Sequence, residues 1–209
     1  MKVLNLYACL GGNRLLWEDC KVTAVELDPE LARMYQERFP NDTVIVADAH
    51  QYLLDHYKEF DFIWSSPPCP SHSRARFARH ENTIAEFPDM KLYEEIIFLQ
   101  SYFKGKFVVE NVIPFYEPLI LAKKRGRHLY WTNFLLPTIL SERKGNFMES
   151  KNEVEKWCEF HKIDLSSYKG TQRKDKIARN LVDYEAGLTI YNTMRGIEAA
   201  KKDNQITMF

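Results

Sequence analysis

The sequence lacks any run of about eighteen or more apolar residues, so nothing in it reads as a membrane span. It lacks paired cysteines. Cys9, Cys20, Cys69 and Cys158 form no CxxC pair, and no His/Cys cluster has zinc-ligand spacing, which argues against a disulfide framework and against a metal site. It lacks an excess of either charge: 29 basic residues balance 29 acidic ones, where a nucleic-acid binder commonly carries a basic surplus. Internal repeats and low-complexity linkers are missing as well. The opening residues, Met1-Lys2-Val3-Leu4-Asn5-Leu6-Tyr7, turn polar too soon for a signal peptide and read as a first strand, so a cytoplasmic protein is expected.

What is there is a globular composition. The 209 residues are 45% hydrophobic and 13% aromatic, enough for one substantial core and hardly for two, so residues 1–209 are expected to form a single domain. Basic residues gather at Arg74, Arg76 and Arg79, at 123–127 and at 169–179; each cluster reads either as a phosphate contact or as a solvated face.

Short apolar runs alternate with helical patterns. Strands are expected at 3–8, 22–26, 43–47, 62–65, 107–109 and 128–134. Helices are expected at 11–19, 29–39, 49–57, 90–103, 154–161 and 181–200, the last weakened at Gly187 and Gly196. Pro29 suits a first helical position, and Leu92, Ile96, Leu99 and Phe103 recur on one helical face. Such alternation implies an α/β chain: a parallel sheet with helices on both faces. Its ligands bind beyond the carboxyl ends of the strands, near the switch point.

The chemically notable residues fall at those strand ends. The first strand ends in Ala8-Cys9-Leu10-Gly11-Gly12, where adjacent glycines let a ligand approach the backbone. The second ends at Glu26, with Leu27 and Asp28 behind it; a carboxylate there can bind both hydroxyls of a ribose. The third ends at Asp48, before Ala49, where an adenine amino group can donate to it. Asp28 and Asp48 can equally be helix caps. The glycines do not spell GxGxxG, so a nucleoside cofactor without phosphates fits better than a dinucleotide.

The fourth strand runs into Ser65-Ser66-Pro67-Pro68-Cys69-Pro70-Ser71-His72-Ser73. Three prolines stiffen the loop and hold one sulfur in place for attack. The fifth strand leads into Glu110-Asn111-Val112, which puts an acid over the same cleft. Cys9 and Cys20 read as packing residues, Cys158 beside Trp157 as buried or neutral, and His72 and His80 as polar loop residues.

These motifs resemble the DNA cytosine-5 methyltransferase family, in order and over most of the chain outside 134–170. Leu6-Tyr7-Ala8-Cys9-Leu10-Gly11-Gly12 resembles its first motif, Pro68-Cys69 its catalytic Pro-Cys, Glu110-Asn111-Val112 its Glu-Asn-Val, and Arg125-Gly126-Arg127 its Arg-x-Arg. Arg179-Asn180-Leu181-Val182 resembles the start of its final motif. The chain is similar to compact members found in phage genomes.

The resemblance implies a Rossmann-like class I fold with a mostly parallel seven-stranded sheet. S-adenosylmethionine would be held by Tyr7, Ala8, Cys9, Gly11, Gly12, Glu26, Leu27, Asp48, Ala49, Pro67, Asn180 and Val182. Cys69 would add to carbon 6 of cytosine, Glu110 would bind N3 and the exocyclic amine, Arg127 the ring carbonyl, and Arg125 would support the loop. A flipped-out base in DNA would meet Pro68, Ser71, Ser73, Arg74, Arg76 and Asn111. The work would be done in a bacterial or phage-infected cell, without a metal or a membrane.

Several positions depart from the family pattern. Asn5 stands where aspartate is common, Lys123 where glutamine is, and Asp183-Tyr184 where proline is. Most conspicuously, 135–170 replaces a target-recognition domain with a short insertion. A full major-groove reader does not fit there, so specificity is low, a protein partner supplies it, or the reading surface is unusual. Cytosine in RNA or in a free nucleotide, amino methylation through Ser66-Pro67-Pro68, and a cofactor-binding subunit without activity are the competing readings.

Overall fold

A computed structural model of the chain describes residues 1–74, 85–138, 140 and 152–197. Strands β1 (Lys2–Leu6), β2 (Lys21–Glu26), β3 (Thr43–Val46), β4 (Phe62–Ser65) and β5 (Lys106–Val112) run parallel. Helices α1 (Pro29–Arg38), α2 (Ala49–His56) and α3 (Lys91–Tyr102) lie between them. A hairpin of β6 (Lys123–Arg125) and β7 (His128–Thr132) follows, then α4 (Glu153–His161), α5 (Lys174–Asn180) and α6 (Tyr184–Met194). The seven-stranded sheet has the order β3-β2-β1-β4-β5-β7-β6, with β7 antiparallel to both neighbours. The order reverses between β1 and β4, which opens a crevice at their carboxyl ends.

Both faces of the central strands are covered, which is why they read as unbroken apolar runs. Successive side chains point to opposite faces. Leu4, Leu6, Ile63, Phe107 and Val109 pack under α2 and α3, with Leu53, Leu92, Ile96 and Leu99. Val3, Phe62, Trp64 and Val108 face the other way, onto Trp17 and onto Ile190 and Tyr191 of α6. A separate cluster joins Leu31 and Met34 of α1 to Trp157 of α4, Leu165, Tyr168 and Ile177 of α5. The interval expected to be a short insertion thus folds, over 152–170, against the β1–α1 side of the sheet.

Four local expectations need correction. Residues 11–19 form a string of turns and no regular helix. Gly11 takes a left-handed φ of 67°, and the bonds that close the segment are of the short-turn kind, such as Arg14 N–H to the Gly11 carbonyl at 3.2 Å. Strand β5 continues through Glu110 to Val112, because β7 pairs with those polar residues from outside. Gly187 lies inside α6 and does not break it: a Cβ there would sit 2.4 Å from the Asn13 carbonyl oxygen, so its bareness lets α6 approach the turns after β1. The helix expected over 181–200 begins only at Tyr184, behind its cap Asp183, which accepts from the Glu185 and Ala186 N–H groups.

One buried acid ties the layers together. Glu95 of α3 has a fully buried side chain on the apolar face of its helix. Its carboxylate accepts from the Tyr7 hydroxyl at 2.5 Å and the Ser65 hydroxyl at 2.6 Å, and lies 3.0 Å from His50 Nδ1. The ends of β1 and β4 and the start of α2 therefore converge on a single side chain. The bond to Glu95 outweighs desolvation and raises the His50 pKa. Truncation, Glu95→Ala, is expected to cost about 3 kcal/mol in urea unfolding, because two buried hydroxyls lose their acceptor. Because the His50 pKa is raised on folding, its contribution is present below about pH 6.5 and is lost as pH rises through the folded value. The penalty of Glu95→Gln should accordingly be larger near about pH 6 than near about pH 9.

Candidate active site

A cavity of about 960 Å³ opens at the carboxyl ends of β1, β2, β4 and β5. Its first wall is the loop after β1. Tyr7 and Cys9 hold left-handed backbone, at φ 56° and 47°, a strained arrangement for residues with a Cβ. Two side chains hold this shape. Glu95 takes the Tyr7 hydroxyl, and Glu26 Oε2 accepts from the Cys9 N–H at 2.8 Å. Glu26 Oε1 accepts from the Asp28 N–H at 2.9 Å, so the carboxylate is fixed with lone pairs left over for a ligand. Asn5 and Asn13 exchange side-chain hydrogen bonds beneath the same loop, at 3.4 and 2.8 Å.

Gly12 touches the segment that closes the cavity. A Cβ on it would lie 2.4 Å from the Val182 carbonyl oxygen, so only glycine lets the 181–182 backbone lie against the β1 loop. Asn180, the last residue of α5, and Leu181 and Val182 behind it line the cavity there. Asp28 serves as the N-cap of α1 and also accepts from Tyr168 and Gln172, so its carboxylate is engaged by protein groups. Asp48 caps α2 and lies 3.7 Å from Lys91 Nζ. Leu27, 67% exposed, lines the cavity mouth beside Ala49.

The opposite wall carries the sulfur. The loop after β4 is anchored three times: Ser65 on Glu95, the Ser66 hydroxyl by Trp64 Nε1 at 2.9 Å, and the Pro67 carbonyl by Asn111 Nδ2 at 3.0 Å. Beyond it, the Cys69 carbonyl accepts from the His72 and Ser73 N–H groups, which turns the chain sharply. Cys69 and Glu110 line the same cavity. Glu110 is only 6% exposed, and His128 Nε2 lies 3.4 Å from its Oε1. Burial, and then the Glu110 carboxylate, push the Cys69 thiol above its ordinary range, while Lys176 of α5 pulls it back. The Cys9 thiol is pushed up to about 12 by desolvation and by Glu26, so it is no competitor as a nucleophile.

Most of the residues singled out in the sequence meet here: Tyr7, Ala8, Cys9, Gly12, Glu26, Leu27, Asp48, Ala49, Pro67, Pro68, Cys69, Glu110, Asn111, Asn180 and Val182. Others stand apart. Gly11 faces Phe39 and Tyr35. The Ser71 hydroxyl accepts from the Asp89 N–H, Ser73 pairs with Pro114, and Arg74 Nε donates to the Pro114 carbonyl. Arg125 donates to the Pro137 and Lys124 carbonyls, and neither it nor the exposed Arg127 lines the cavity. Arg76, Arg79 and His80 lie outside the described residues. Sequence reasoning missed His128, Lys91, Thr171, Gln172 and Lys176, all of which line the cavity. Only the alternation of 128–134 hinted at His128. The rest sit on segments whose position is fixed by tertiary packing. Among the described residues no group of three or more His, Cys, Asp or Glu side chains could hold a metal, and no helix is long and apolar enough to cross a membrane.

The sheet order, its reversal point and the glycine-lined loop over the crevice define a Rossmann-like methyltransferase fold. The model of the C-5 cytosine-specific DNA methylases matches residues 1–118, more than half of the chain, and the chain belongs to that family. No curated protein matches it. Among solved structures, a hypothetical protein of Thermus thermophilus is 18% identical, over 63% of this chain and 73% of that one, with a TM-score of 0.43. A DNMT2 variant from Spodoptera frugiperda is 21% identical, over 53% of this chain and 35% of that one, with a TM-score of 0.37. A candidate DNA modification methyltransferase from an Escherichia coli prophage is 22% identical, over 56% and 33%, with a TM-score of 0.37. The match thus spans about a third of the insect and prophage chains.

The site makes a prediction that is independent of any substrate. Alkylation of Cys69 by iodoacetamide, followed by mass spectrometry, should rise with pH to a midpoint above the value of about 8.5 for a free thiol. Glu110→Gln should lower that midpoint and Lys176→Ala should raise it, because the first removes a repelling charge and the second an attracting one.

Proposed function

We propose that this methyltransferase acts on carbon 5 of cytosine in DNA, with S-adenosylmethionine as methyl donor and Cys69 as a transient nucleophile on a flipped-out base. The observation that carries the reading is the single cavity shared by Cys69, Glu110 and the glycine-bearing loop after β1. The fit to the cofactor is supported by the bareness of Gly12, by the two-point hold on Glu26 and by the exposed Leu27 at the mouth. Glu26 would take the ribose hydroxyls. Asp48, Ala49 and Leu27 would meet the adenine, and Asn180 and Val182 would close the far side. When bound, the sulfonium supplies the methyl group that carbon 5 accepts.

The chain's own residues supply the rest. Cytosine carbon 5 is a poor nucleophile while the ring is aromatic. Addition of the Cys69 thiolate to carbon 6 makes carbon 5 enamine-like. Glu110 gives a proton to N3 as that bond forms. After transfer, water takes the carbon 5 proton, the electron pair of that bond restores the ring double bond as Cys69 leaves as thiolate, and N3 returns its proton to Glu110. The triple anchoring of the 65–67 loop keeps the sulfur oriented, which lowers the entropic cost of attack. Residues 1–209 serve as one catalytic domain, with 135–170 in place of a separate target-recognition domain.

A second reading, cytosine in RNA or a free nucleotide, is favoured by one observation. Residues 152–170 spend Trp157, Leu165 and Tyr168 on packing against α1, and a single short helix, α4, is what this interval could offer a duplex groove. Either substrate requires the same cysteine chemistry.

Cys69→Ala is expected to abolish transfer of labelled methyl to cytosine-containing DNA while leaving S-adenosylmethionine binding measurable by calorimetry. Wild-type protein should form a covalent adduct with DNA holding 5-fluorocytosine, and full activity in Cys69→Ser would rule the mechanism out. Gly12→Ala should weaken cofactor binding by about tenfold or more, since the displaced Val182 backbone closes the pocket. Affinity for duplex DNA that fails to fall with added salt, beside RNA binding that does, would favour the second reading.

A further inference from the structure

The family resemblance assigns the ring-binding cation to Arg127, with Arg125 behind it. The structure brings forward the next residue. Strand β7 runs antiparallel to β5, with Tyr130 opposite Glu110 and His128 opposite Val112. Side chains two residues apart on a strand share a face, so His128 is the diagonal neighbour of Glu110, within reach of a long side chain. Its Nε2 accordingly lies 3.4 Å from Glu110 Oε1, and its ring lines the cavity, edge-on to Tyr130 with centroids 6.4 Å apart. Of Arg125, Arg127 and His128, the histidine alone reaches the cavity wall.

We propose that His128 is a positioning residue of the active site, which orients the Glu110 carboxyl and stabilises its charge while Glu110 acts on the pyrimidine ring. The proposal rests on the methyl-transfer reading above. Its physical basis is that a nearly buried carboxylate is costly without a partner, and the His128 ring, when protonated, is one at this distance. When Cys69 bonds to carbon 6, the Glu110 proton moves to N3, and the carboxylate left behind is stabilised by the charged ring of His128. When the sulfur leaves, the proton returns to Glu110, so the pair ends as it began. The geometry also divides the carboxyl: Oε1 is turned to His128, and Oε2 remains for the base.

Other charged or titratable groups that share the cavity with this pair include Cys69, Asp89, Lys91, Lys176 and Arg179, while Arg125 on β6 lies opposite His128 and Tyr130 on β7 opposite Glu110. None of these residue types titrates near neutral pH in the way an imidazole does. Glu110 must carry its proton to act on N3, so the rate of wild-type protein should fall, as pH rises, along a limb to which both members of the pair contribute, and replacing His128 should shift that limb.

The test uses the full chain, labelled S-adenosylmethionine and cytosine-containing DNA, with kcat and KM measured across the pH range for wild type, His128→Ala and His128→Gln. Expected are a kcat lower by about tenfold to a hundredfold, a cofactor affinity changed less than about twofold, and a shift of the high-pH limb in both variants. His128→Gln, which can still donate one hydrogen bond, should keep more of the rate than His128→Ala. Wild-type kcat and an unaltered pH profile in His128→Gln would overturn the assignment. So would a lower kcat that tracks thermal stability while the pH profile stays unchanged. A wild-type protein that neither transfers methyl nor traps 5-fluorocytosine would overturn the underlying reading and this inference with it; an active wild type beside an unaffected variant overturns this inference alone.

Discussion

The buried carboxylate of Glu95 holds the two loops of the active site in one frame. Tyr7 belongs to the loop after β1 that overhangs the crevice, and Ser65 launches the loop that carries Cys69. Both hydroxyls donate to the same side chain, and His50 adds a third contact from α2. A charge with no exposed surface persists only where its partners are fixed. The converse holds too: once the acid is there, its partners have little freedom to drift. Relative placement of the two loops is thus set by a polar knot below them, in a region whose other members are leucines, isoleucines and aromatics.

The second constraint comes from the chain's far end. Residues 153–182 are held to α1 by Trp157, Leu165 and Tyr168, and α5 is bolted to α4 by the bidentate pair of Arg179 with Glu153 at 2.5 and 2.6 Å. Arg38 of α1 donates to the Leu10 carbonyl at 2.7 Å and the His161 carbonyl at 2.6 Å, which fastens helix, loop and insertion together. The closing wall of the cavity, at Asn180 to Val182, inherits its position from these contacts. The interval ending at Gly170 therefore contributes to the pocket, through Gly170 and the Thr171 and Gln172 that follow it.

Much of this was legible in the residues. Strands buried on both faces leave apolar runs, and the loops after β4 and β5 announce themselves through Pro67-Pro68-Cys69 and Glu110-Asn111. What escaped depends on contacts distant in sequence. Lys123–Arg125 carries three charges and no alternation, and is a strand only because β7 pairs with it. Lys174–Asn180 is short and polar, and its helix is defined by burying Ile177 and Ala178 against α1 and α4. The segment after Gly11 has a helical pattern, yet Arg14 is tied to Asp42, 28 residues later, at 2.9 Å, a bond that fixes turns and needs no helix. His128 could be matched to Glu110 only through the register of two antiparallel strands, which no local pattern encodes.

Tyr7 and Cys9 sit in a conformation that glycine would adopt freely, and each costs the fold on the order of 1–3 kcal/mol. A chain evolving for heat resistance alone would replace them first, since relief of such strain is among the easiest gains available. Their retention would then mark a position where selection for grip on a ligand outweighs selection for durability. The loop after β1 is where a hardened descendant of this protein would be expected to forfeit its chemistry.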